Sequence, residues 1–552
     1  MCGLSGELRF DGAEADIGAV GRMAETMHER GPDGSGLWSQ GPVALGHRRL
    51  KIIDLSDKAA QPMVDGELGL AVVFNGCLYN YGELRAELRG AGYRFFSASD
   101  TEVLLKAFHR WGPACVRRFK GMFAFAVHER DTGRLILGRD RLGVKPMYVS
   151  ENARRLRFAS SLPALLAAGE VDTGIDLVAL HHYMTFHSLV PGERTILSGV
   201  RKLPPATVRV IEPDGGGTEH RYWEPSHTRS ALPEHAGLSG AEWCRAVLDA
   251  LRVAVRRRMV ADVPVGVLLS GGLDSSLIVA LLAEQGQQDL ATFSIGFEPA
   301  GGEPGEEFAY SDLVAPAVRH RPPPHPHPGR APAGGAAGGG AGDERADGQP
   351  RLRRVLPAGA GGRPARQGRA VGAGGRRGVR RLQLVPAPGR RAAPGRGRRL
   401  RARVLRPAPR RAGRDPVARP AAGARRQRRT SSAPTWPGRA RETALDAVLR
   451  LETTAMLVDD PVKRVDNMTM AHGLEARTPF LDHELVELAA ACPAELKLAH
   501  GGKGVLKDAA RRLLPAEVVD RPKGYFPVPA VRHVDGDAAR TRPRRADQQG
   551  RP

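Results

Sequence analysis

The chain has 552 residues and a formal charge of +23, and this length predicts more than one domain. Most of the charge is local: residues 316–440 hold 31 Arg, no Lys and 4 acidic residues, so the other 427 residues carry a net charge of −4. This distribution argues against a nucleic-acid or membrane partner, because the rest of the chain has the charge of an ordinary soluble enzyme.

Five cysteines without C-x-x-C spacing argue against a disulfide framework. No apolar run reaches the roughly 20 residues needed to cross a bilayer. The N-terminal segment MCGLSGELRF has no basic stretch followed by an apolar one, so we expect no signal peptide. These features predict a cytoplasmic protein with no membrane partner.

The elements change character along the chain. Residues 1–190 alternate strand-like runs, such as GLAVVFNGCLYN, with helical spacing, such as DTEVLLKAFHRWG, and predict a layered α+β domain. Residues 191–240 are polar and rich in Gly and Pro, which predicts a linker. In residues 241–315 helices alternate with buried strands, which predicts the start of a parallel α/β sheet. Residues 441–536 return to helical spacing and predict the rest of that second domain.

Residues 316–440 have a composition foreign to the rest of the chain. They are rich in Arg, Gly, Pro and Ala and contain one aromatic residue, Trp436. Such a segment buries too little apolar surface to offset the entropy of ordering its backbone, so we predict that it is disordered. Residues 537–552 form an anomalous tail of similar character.

Cys2 directly follows the initiator Met. If that Met is removed, a thiol and a free α-amine lie on one residue, and an amine with a pKa of about 8 can accept the thiol proton at neutral pH. A cysteine at this position by chance is the alternative. The motifs RGPDGSG (30–36), GHRRL (46–50), NGCLYN (75–80) and SDTE (99–102) favour a catalytic role, because they fall at turns or strand ends of one domain.

Together these motifs resemble the glutaminase domain of the class II glutamine amidotransferases, specifically that of the glutamine-dependent asparagine synthetase family. The resemblance implies an N-terminal-nucleophile (αββα) fold in which Cys2 attacks the side-chain amide of glutamine. It implies that Asn75 and Gly76 form an oxyanion hole, where each donor contributes about 3–4 kcal/mol. It also implies that Arg49 binds the glutamine carboxylate and Asp100 its α-ammonium group.

Cys77 departs from the family pattern, which commonly has Glu in an N-G-E motif. The glutamine pocket would lose an acidic contact there, and Asp100 would then carry more of the binding. Simpler structural roles are the alternatives: residues 30–33 as a plain turn, and Asn75–Gly76 as a hairpin turn. Arg48 is expected to be structural or solvated.

The segment VGVLLSGGLDSS (265–276) predicts a strand, a tight turn and a helix N-terminus, where backbone amides and hydroxyls favour phosphate. A generic strand–turn–helix is the alternative. The segment resembles the pyrophosphate loop of ATP-pyrophosphatase enzymes, in which glycines allow close approach to the anion and an acidic residue binds Mg²⁺. The resemblance implies that Asp274 is the metal ligand. It implies ATP contacts from Leu269, Ser270, Gly271, Gly272, Asp274, Ser275, Ser276 and Ile295.

Three C-terminal segments resemble the synthetase half of the same family: VDDPVKRVDNMTMAHGLEARTPFLDHELVELA (458–489), GGKGVLKDAARRLLP and DRPKGYFPVP. Lys503 matches the lysine that stabilises pyrophosphate and the adenylate transition state, and Lys523 is a second candidate. A surface lysine is the alternative for both, and it is our interpretation of Lys507.

A synthetase of this family needs a second acidic loop, S-G-x-G-x-D-E, and the chain contains no such string. We back-translated residues 371–386 and chose the codon bases that the amino acids leave free. Read one nucleotide forward, this stretch gives S-G-Q-G-A-D-E-V-F-G-G-Y-S-W-Y-P. Our hypothesis is that residues 316–440 and 537–552 are an out-of-frame translation of a GC-rich gene. The chain would then lack the second loop and the wall around the acceptor.

The resemblances imply an amide-forming ligase that uses ATP, Mg²⁺, glutamine and a carboxylate acceptor, with ammonia passing internally between two sites. The start MCGLSGELRFDG, the NGC motif and RPKGYFPVP look most like the N-acetylglutaminylglutamine amide synthase branch, with aspartate-to-asparagine chemistry as the alternative. Two further alternatives are a glutaminase without synthesis and an Arg-rich nucleic-acid-binding remnant. The remnant is disfavoured because the block lacks aromatics and a reader fold, so we expect no specific nucleic acid. The sequence leaves a homodimer open.

Overall fold

The structure is a computed structural model of the chain. It describes residues 2–186, 189–227, 232–235, 237–287, 290–295, 308–317, 351–352, 370–373 and 443–522. These residues belong to one compact unit of the chain. Residues 316–440, which we predict to be disordered, lie almost entirely outside the described residues. Lys523 and the tail, residues 537–552, also lie outside them.

The N-terminal half contains two six-stranded antiparallel sheets, with strand orders β10-β8-β9-β1-β3-β2 and β12-β11-β7-β6-β5-β4. The strands are β1 (Gly3–Arg9), β2 (Gly34–Gln40), β3 (Val43–Arg49), β4 (Met63–Asp65), β5 (Leu70–Leu78), β6 (Gly121–Glu129), β7 (Leu135–Arg139), β8 (Tyr148–Glu151), β9 (Arg155–Ala159), β10 (Arg201–Lys202), β11 (Thr207–Ile211) and β12 (Gly217–Arg221). The helices are α1 (Ile17–Thr26), α2 (Tyr81–Gly90), α3 (Asp100–Trp111), α4 (Leu162–Ala167) and α5 (Leu177–Thr185).

Alternating side chains on the strands build four layers. On β5, Val72 and Phe74 pack in one core with residues of α2 and α3, whereas Ala71 and Val73 pack against residues of β1 and β3 in the other sheet. The outer face of that other sheet is covered by α1 and α4. The two sheets therefore face each other between helices, and the predicted αββα fold is confirmed.

The predicted linker, residues 191–240, starts too early. Residues 201–221 form β10, β11 and β12, which extend both sheets of the first domain. The Gly-rich stretch that favoured a linker is the β11–β12 turn, where Gly215 takes a φ of +88°. Strands β10 and β12 are short and polar, so they lack the hydrophobic runs that identified the others.

The C-terminal half contains a parallel sheet of five strands in the order β15-β14-β13-β16-β17. Its strands are β13 (Val265–Leu268), β14 (Ala291–Ile295), β15 (Arg351–Leu352), β16 (Ala370–Ala373) and β17 (Glu475–Arg477). Its helices are α6 (Gly240–Arg257), α7 (Leu273–Glu284), α8 (Phe308–Ala317), α9 (Ala444–Leu451), α10 (Lys463–Met470), α11 (His483–Ala491), α12 (Ala494–Leu498), α13 (Gly504–Ala510) and α14 (Ala516–Val519). Two π-helical stretches, Glu452–Met456 and Val458–Val462, join α9 to α10.

Side-chain caps and one shared core fix the helices that carry the sites. Ser99 accepts a hydrogen bond from the Glu102 amide at 3.2 Å and so starts α3 at Asp100. In the C-terminal half, α6, α7, α11 and α13 bury one continuous apolar cluster. Within the described ranges, no helix is long and apolar enough to cross a membrane.

Buried ion pairs join the two halves. Asp466 of α10 lies 2.9 Å from the Arg30 guanidinium and 3.3 Å from the Lys145 ammonium group, and the three side chains are at most 8% exposed. Removing such charges from water costs several kcal/mol unless each finds its partner. The contact therefore holds α10 in a defined position against the N-terminal half.

We predict that Asp466→Asn lowers the free energy of unfolding by about 3–5 kcal/mol, because two buried cations lose the carboxylate that both contact. Asp520→Asn is the matched control, since it removes the partner of Arg511 from an exposed pair and should change stability little. Denaturant titration measures both. Equal stability of the two variants would contradict the prediction.

Candidate active sites

A pocket lies beside Cys2, directly before β1. It holds about 380 Å³ of empty space, part of it open to solvent. Its described walls include the predicted glutamine-site residues Cys2, Arg49, Gly76, Cys77 and Asp100. The structure thus brings together residues that are up to 98 positions apart in the sequence.

The backbone of Cys2 is held on two sides. Its amide donates a hydrogen bond to Asn75 Oδ1 at 3.0 Å, and its carbonyl accepts one from Arg30 Nε at 3.4 Å. Burial raises the pKa of the Cys2 thiol above its usual value, although the nearby Arg49 lowers it in part. The thiol is therefore protonated at neutral pH and needs a base to become a nucleophile.

Asn75 and Gly76 lie within β5, where they pair with Ala124 and Phe123, so the alternative of a hairpin turn is wrong. A Cβ at Gly76 would lie 2.2 Å from the Met122 carbonyl oxygen, so only glycine fits at this position. The Asn75 side chain is fully buried and donates from Nδ2 to Ser160 Oγ at 3.4 Å. The Asn75 side chain therefore contacts the Cys2 backbone without being a described wall residue of the pocket, while Gly76 lines the pocket.

Arg49 and Arg48 point to opposite faces of β3, as neighbours on a strand do. Arg49 lines the pocket, and its guanidinium donates to the carbonyl of Ser56 at 2.8 Å and to that of Asp54. Arg48 instead donates to the Ala24 carbonyl on α1 at 3.3 Å. The geometry agrees with a ligand-facing Arg49 and a structural Arg48.

Asp100 is the first residue of α3, and its Oδ2 accepts a hydrogen bond from the Leu78 amide at 3.0 Å. Burial raises the pKa of Asp100 to about 7, and the charge of Glu475 adds to this rise. The carboxylate form needed to bind an ammonium group is therefore favoured above that pH.

We predict that Asp100→Asn stabilises the free protein at pH 8 by about 2–4 kcal/mol, because a buried carboxyl with a raised pKa costs stability once it ionises. The folded-state pKa lies above the unfolded value of 3.8, so this cost is absent below that value, grows as the pH rises towards 7 and is complete above 7. Thermal unfolding at pH 5 and pH 8 should show a clearly larger gain at pH 8 than at pH 5. A variant less stable than the parent at pH 8 would overturn this.

The SGGLDSS loop connects β13 to α7. Gly271 has a φ of +63°, and an added Cβ would lie 2.5 Å from Tyr310, so the tight turn requires glycine. Gly272 caps α7, and Ser270 donates its amide to Ser275 Oγ at 3.2 Å. The Ser276 hydroxyl is buried and has no partner among the described residues, and a phosphate oxygen at the helix N-terminus would satisfy it.

The other predicted nucleotide residues lie around this loop. Lys503 precedes α13, and its ammonium group contacts both oxygens of Asp274, at 2.7 and 2.9 Å. Leu269 donates its amide to the Phe293 carbonyl of β14 at 2.8 Å, and Ile295 ends that strand. Lys507 instead donates to the His500 carbonyl.

The magnesium site is incomplete on the described residues. Asp274 is paired with Lys503, and within the described part of the chain no three His, Cys, Asp or Glu side chains cluster as metal ligands. The loop therefore fits a pyrophosphate and offers one carboxylate for Mg²⁺, whose other oxygen ligands would come from phosphate and water.

One charged wall residue of the thiol pocket was not predicted from the sequence. Glu475 of β17 lines the pocket, although it belongs to the C-terminal half. The segment GLEARTPFLD that contains it was assigned to the synthetase half as a whole. Nothing in its spacing indicates that a residue so far along the chain reaches Cys2.

Comparison with known proteins identifies both halves. Residues 1–223 match the family described as Glutamine amidotransferase domain, and residues 246–322 and 339–551 match the family described as Asparagine synthase. The solved structure of glutamine phosphoribosylpyrophosphate amidotransferase from B. subtilis, with ADP and GMP, is 16% identical. It covers 53% of this chain and 75% of that chain, with a TM-score of 0.31.

Relatives of known sequence span different shares of the chain. Asparagine synthetase [glutamine-hydrolyzing] 3 of Bacillus subtilis is 36% identical over 309 residues, which is 54% of this chain and 48% of that protein. A Mycobacterium bovis protein, provisionally named an asparagine synthetase [glutamine-hydrolyzing], is 31% identical over an alignment of 606 positions, gaps included, that covers 97% of this chain and 88% of that protein. The match thus spans about half the length of the B. subtilis relative.

The four-layer fold with a cysteine directly before its first strand defines a glutamine amidotransferase domain, here joined to a parallel α/β domain. The chain belongs to the glutamine-dependent asparagine synthetase family. The family resemblance predicted from the sequence is confirmed, while the narrower branch stays a prediction.

Proposed function

We propose that the chain is a glutamine-hydrolysing carbon–nitrogen ligase of the asparagine synthetase type. Glutamine would bind in the Cys2 pocket with its carboxylate on Arg49 and its α-ammonium on Asp100. The observation that supports this is the convergence of a thiol, a guanidinium and a carboxylate on one pocket. Glutamine carries the complementary amide, carboxylate and ammonium groups.

Hydrolysis would begin once Met1 is removed. The α-amine of Cys2 takes the thiol proton, and the sulfur attacks the amide carbon of glutamine. The Gly76 amide and the Asn75 side chain stabilise the oxyanion. The proton then passes from the amine to the departing ammonia, and water hydrolyses the thioester to release glutamate.

The second reaction would be adenylation of a carboxylate acceptor by ATP, followed by attack of ammonia. The Ser270–Ser276 loop would hold the phosphates through backbone amides and the Ser276 hydroxyl. Lys503 would leave Asp274 and stabilise the negative charge of pyrophosphate. Magnesium, when bound, neutralises phosphate charge, and Asp274 can supply one of its oxygen ligands.

Glutamine hydrolysis and amide synthesis differ in how many of the residues that they need lie within the described part of the chain. All described wall residues of the Cys2 pocket lie outside residues 316–440. The shifted reading starts the missing acidic loop within β16, which pairs in parallel with β13. Because parallel strands have their carboxyl ends at the same edge of the sheet, this loop would lie at the same edge as Asp274. We infer that the chain hydrolyses glutamine and that amide synthesis requires the shifted reading of residues 316–440.

The acceptor would be N-acetylglutaminylglutamine, with aspartate as the alternative. The motifs around Cys77 and the segment RPKGYFPVP support the first choice. A homodimer stays a prediction.

We predict that Cys2→Ala lowers glutamine-dependent ammonia release by about 10³-fold or more, since it removes the nucleophile. Cys244→Ala is the control, because this half-buried cysteine lies on α6 in the C-terminal half. Ammonia release from glutamine is measured for both and for the parent. Unchanged release by the Cys2 variant would rule out the proposed chemistry.

We also predict a difference between this chain and a version whose residues 316–440 and 537–552 are translated in the shifted frame. Each is incubated with ATP, Mg²⁺, glutamine and either N-acetylglutaminylglutamine or aspartate. Only the shifted version should form an amide, because only it carries the second acidic loop. Equal amide formation by both, or a gene with no frame change in these intervals, would refute the hypothesis.

A further inference from the structure

Glu475 reaches the glutaminase pocket from the other half of the protein. It is the first residue of β17, which pairs with β16 at the edge of the parallel sheet. Its side chain is 1% exposed, and it lines the pocket together with Cys2 and Asp100. Every other described wall residue lies between positions 2 and 101.

The carboxyl group of Glu475 is ionised. Burial would raise its pKa, but Arg477, the amino terminus of the chain and Lys145 outweigh burial and hold the pKa below its usual value. Arg477 Nε lies 2.6 Å from Glu475 Oε1, and neither side chain is more than 1% exposed. The pocket therefore contains a fixed negative charge.

Arg477 is held in turn by the backbone. Its Nη1 donates to the carbonyl oxygens of Arg258 and Val260, both at 2.7 Å. Its Nη2 lies 3.6 Å from Cys77 Sγ, at the position where the family commonly has Glu. Because burial raises the pKa of the Cys77 thiol, this partner is neutral, and Glu475 supplies the negative charge beside Arg477.

We propose that Glu475 is a positioning residue for glutamine hydrolysis: its carboxylate stabilises the α-ammonium group that forms on Cys2 when the amine accepts the thiol proton. The inference rests on the proposed function. It makes the pocket a joint product of both halves of the chain, because the nucleophile comes from one half and the charge that assists its base comes from the other.

The proton balance assigns Glu475 no transfer step. The thiol loses a proton and the amine gains it, while Glu475 stays ionised and stabilises the ammonium group of the resulting pair. The same proton then leaves with ammonia. The charge of Glu475 already acts on this site in the free protein, because it raises the pKa of the Cys2 thiol and that of Asp100.

The groups that set the electrostatics around Glu475 come from both halves. The titratable groups that interact with it include the amino terminus, Cys2, Cys77, Tyr79, Asp100, Lys145 and Arg477. Cys77 and Tyr79 are neutral at pH 7, because burial raises the pKa of each. The charge of Glu475 outweighs burial and raises the pKa of Arg477, so Arg477 stays charged, and a shift of the pH profile between pH 5 and 9 reports on Cys2 and Asp100.

Three variants of the full chain test the inference: Glu475→Gln removes the charge, Glu475→Asp keeps it, and Glu517→Gln removes an exposed carboxylate of α14 as the control. For glutamine hydrolysis, Glu475→Gln should lower kcat by roughly 10- to 100-fold with little change of KM. The limb of the kcat/KM profile that rises with pH should move about one unit lower, since the amine loses its anionic neighbour. Glu475→Asp should recover most of kcat.

Two results would overturn the inference. One is a Glu475→Gln variant with the kcat and pH profile of Glu517→Gln. The other is a Glu475→Asp variant as slow as Glu475→Gln with the rising limb in its parental position, which indicates a role in packing. If thermal unfolding shows that Glu475→Gln is not folded, the Glu475→Asp comparison decides. If the parent itself releases no ammonia from glutamine, the proposed function has failed instead.

Discussion

Buried charge between the two halves is the constraint on which the rest of the structure depends. An apolar interface tolerates small shifts, but a buried carboxylate between Arg30 and Lys145 does not, because each lost contact leaves an unpaired ion in a dry environment. Asp466 fixes α10 in this way, and Arg477 holds the neighbouring strand β17 through the carbonyl groups of Arg258 and Val260. The Cys2 backbone is tied to this contact, because Arg30 also donates to the Cys2 carbonyl.

Close packing and electrostatics have separate roles in the pocket. Glycine at position 76 allows β5 to pass close to β6, so backbone groups can approach a ligand. Opposing effects act on the Cys2 side chain: Arg49 favours its thiolate form, whereas burial and the charge of Glu475 favour the protonated thiol. The free site therefore holds a protonated cysteine, and a proton acceptor is needed before the sulfur can react.

Much of the fold and of each site could be predicted from short-range patterns. Alternation along β5 and β6 identified the layered domain, and Gly271 followed by a helix identified the phosphate loop. Strands such as β12 were missed because all their residues are exposed and polar. Glu475 was missed for a different reason: its role depends on tertiary contact with Cys2, and 473 positions of sequence carry no signal of that contact.

The location of Glu475 has a consequence for protein synthesis. A ribosome produces Cys2, Arg49 and Asp100 early, and the N-terminal domain can fold while the rest of the chain is still being made. The carboxylate at position 475 emerges hundreds of residues later. A nascent or truncated chain would thus display a thiol pocket without its final wall, and the pocket would be completed only when the C-terminal half is made.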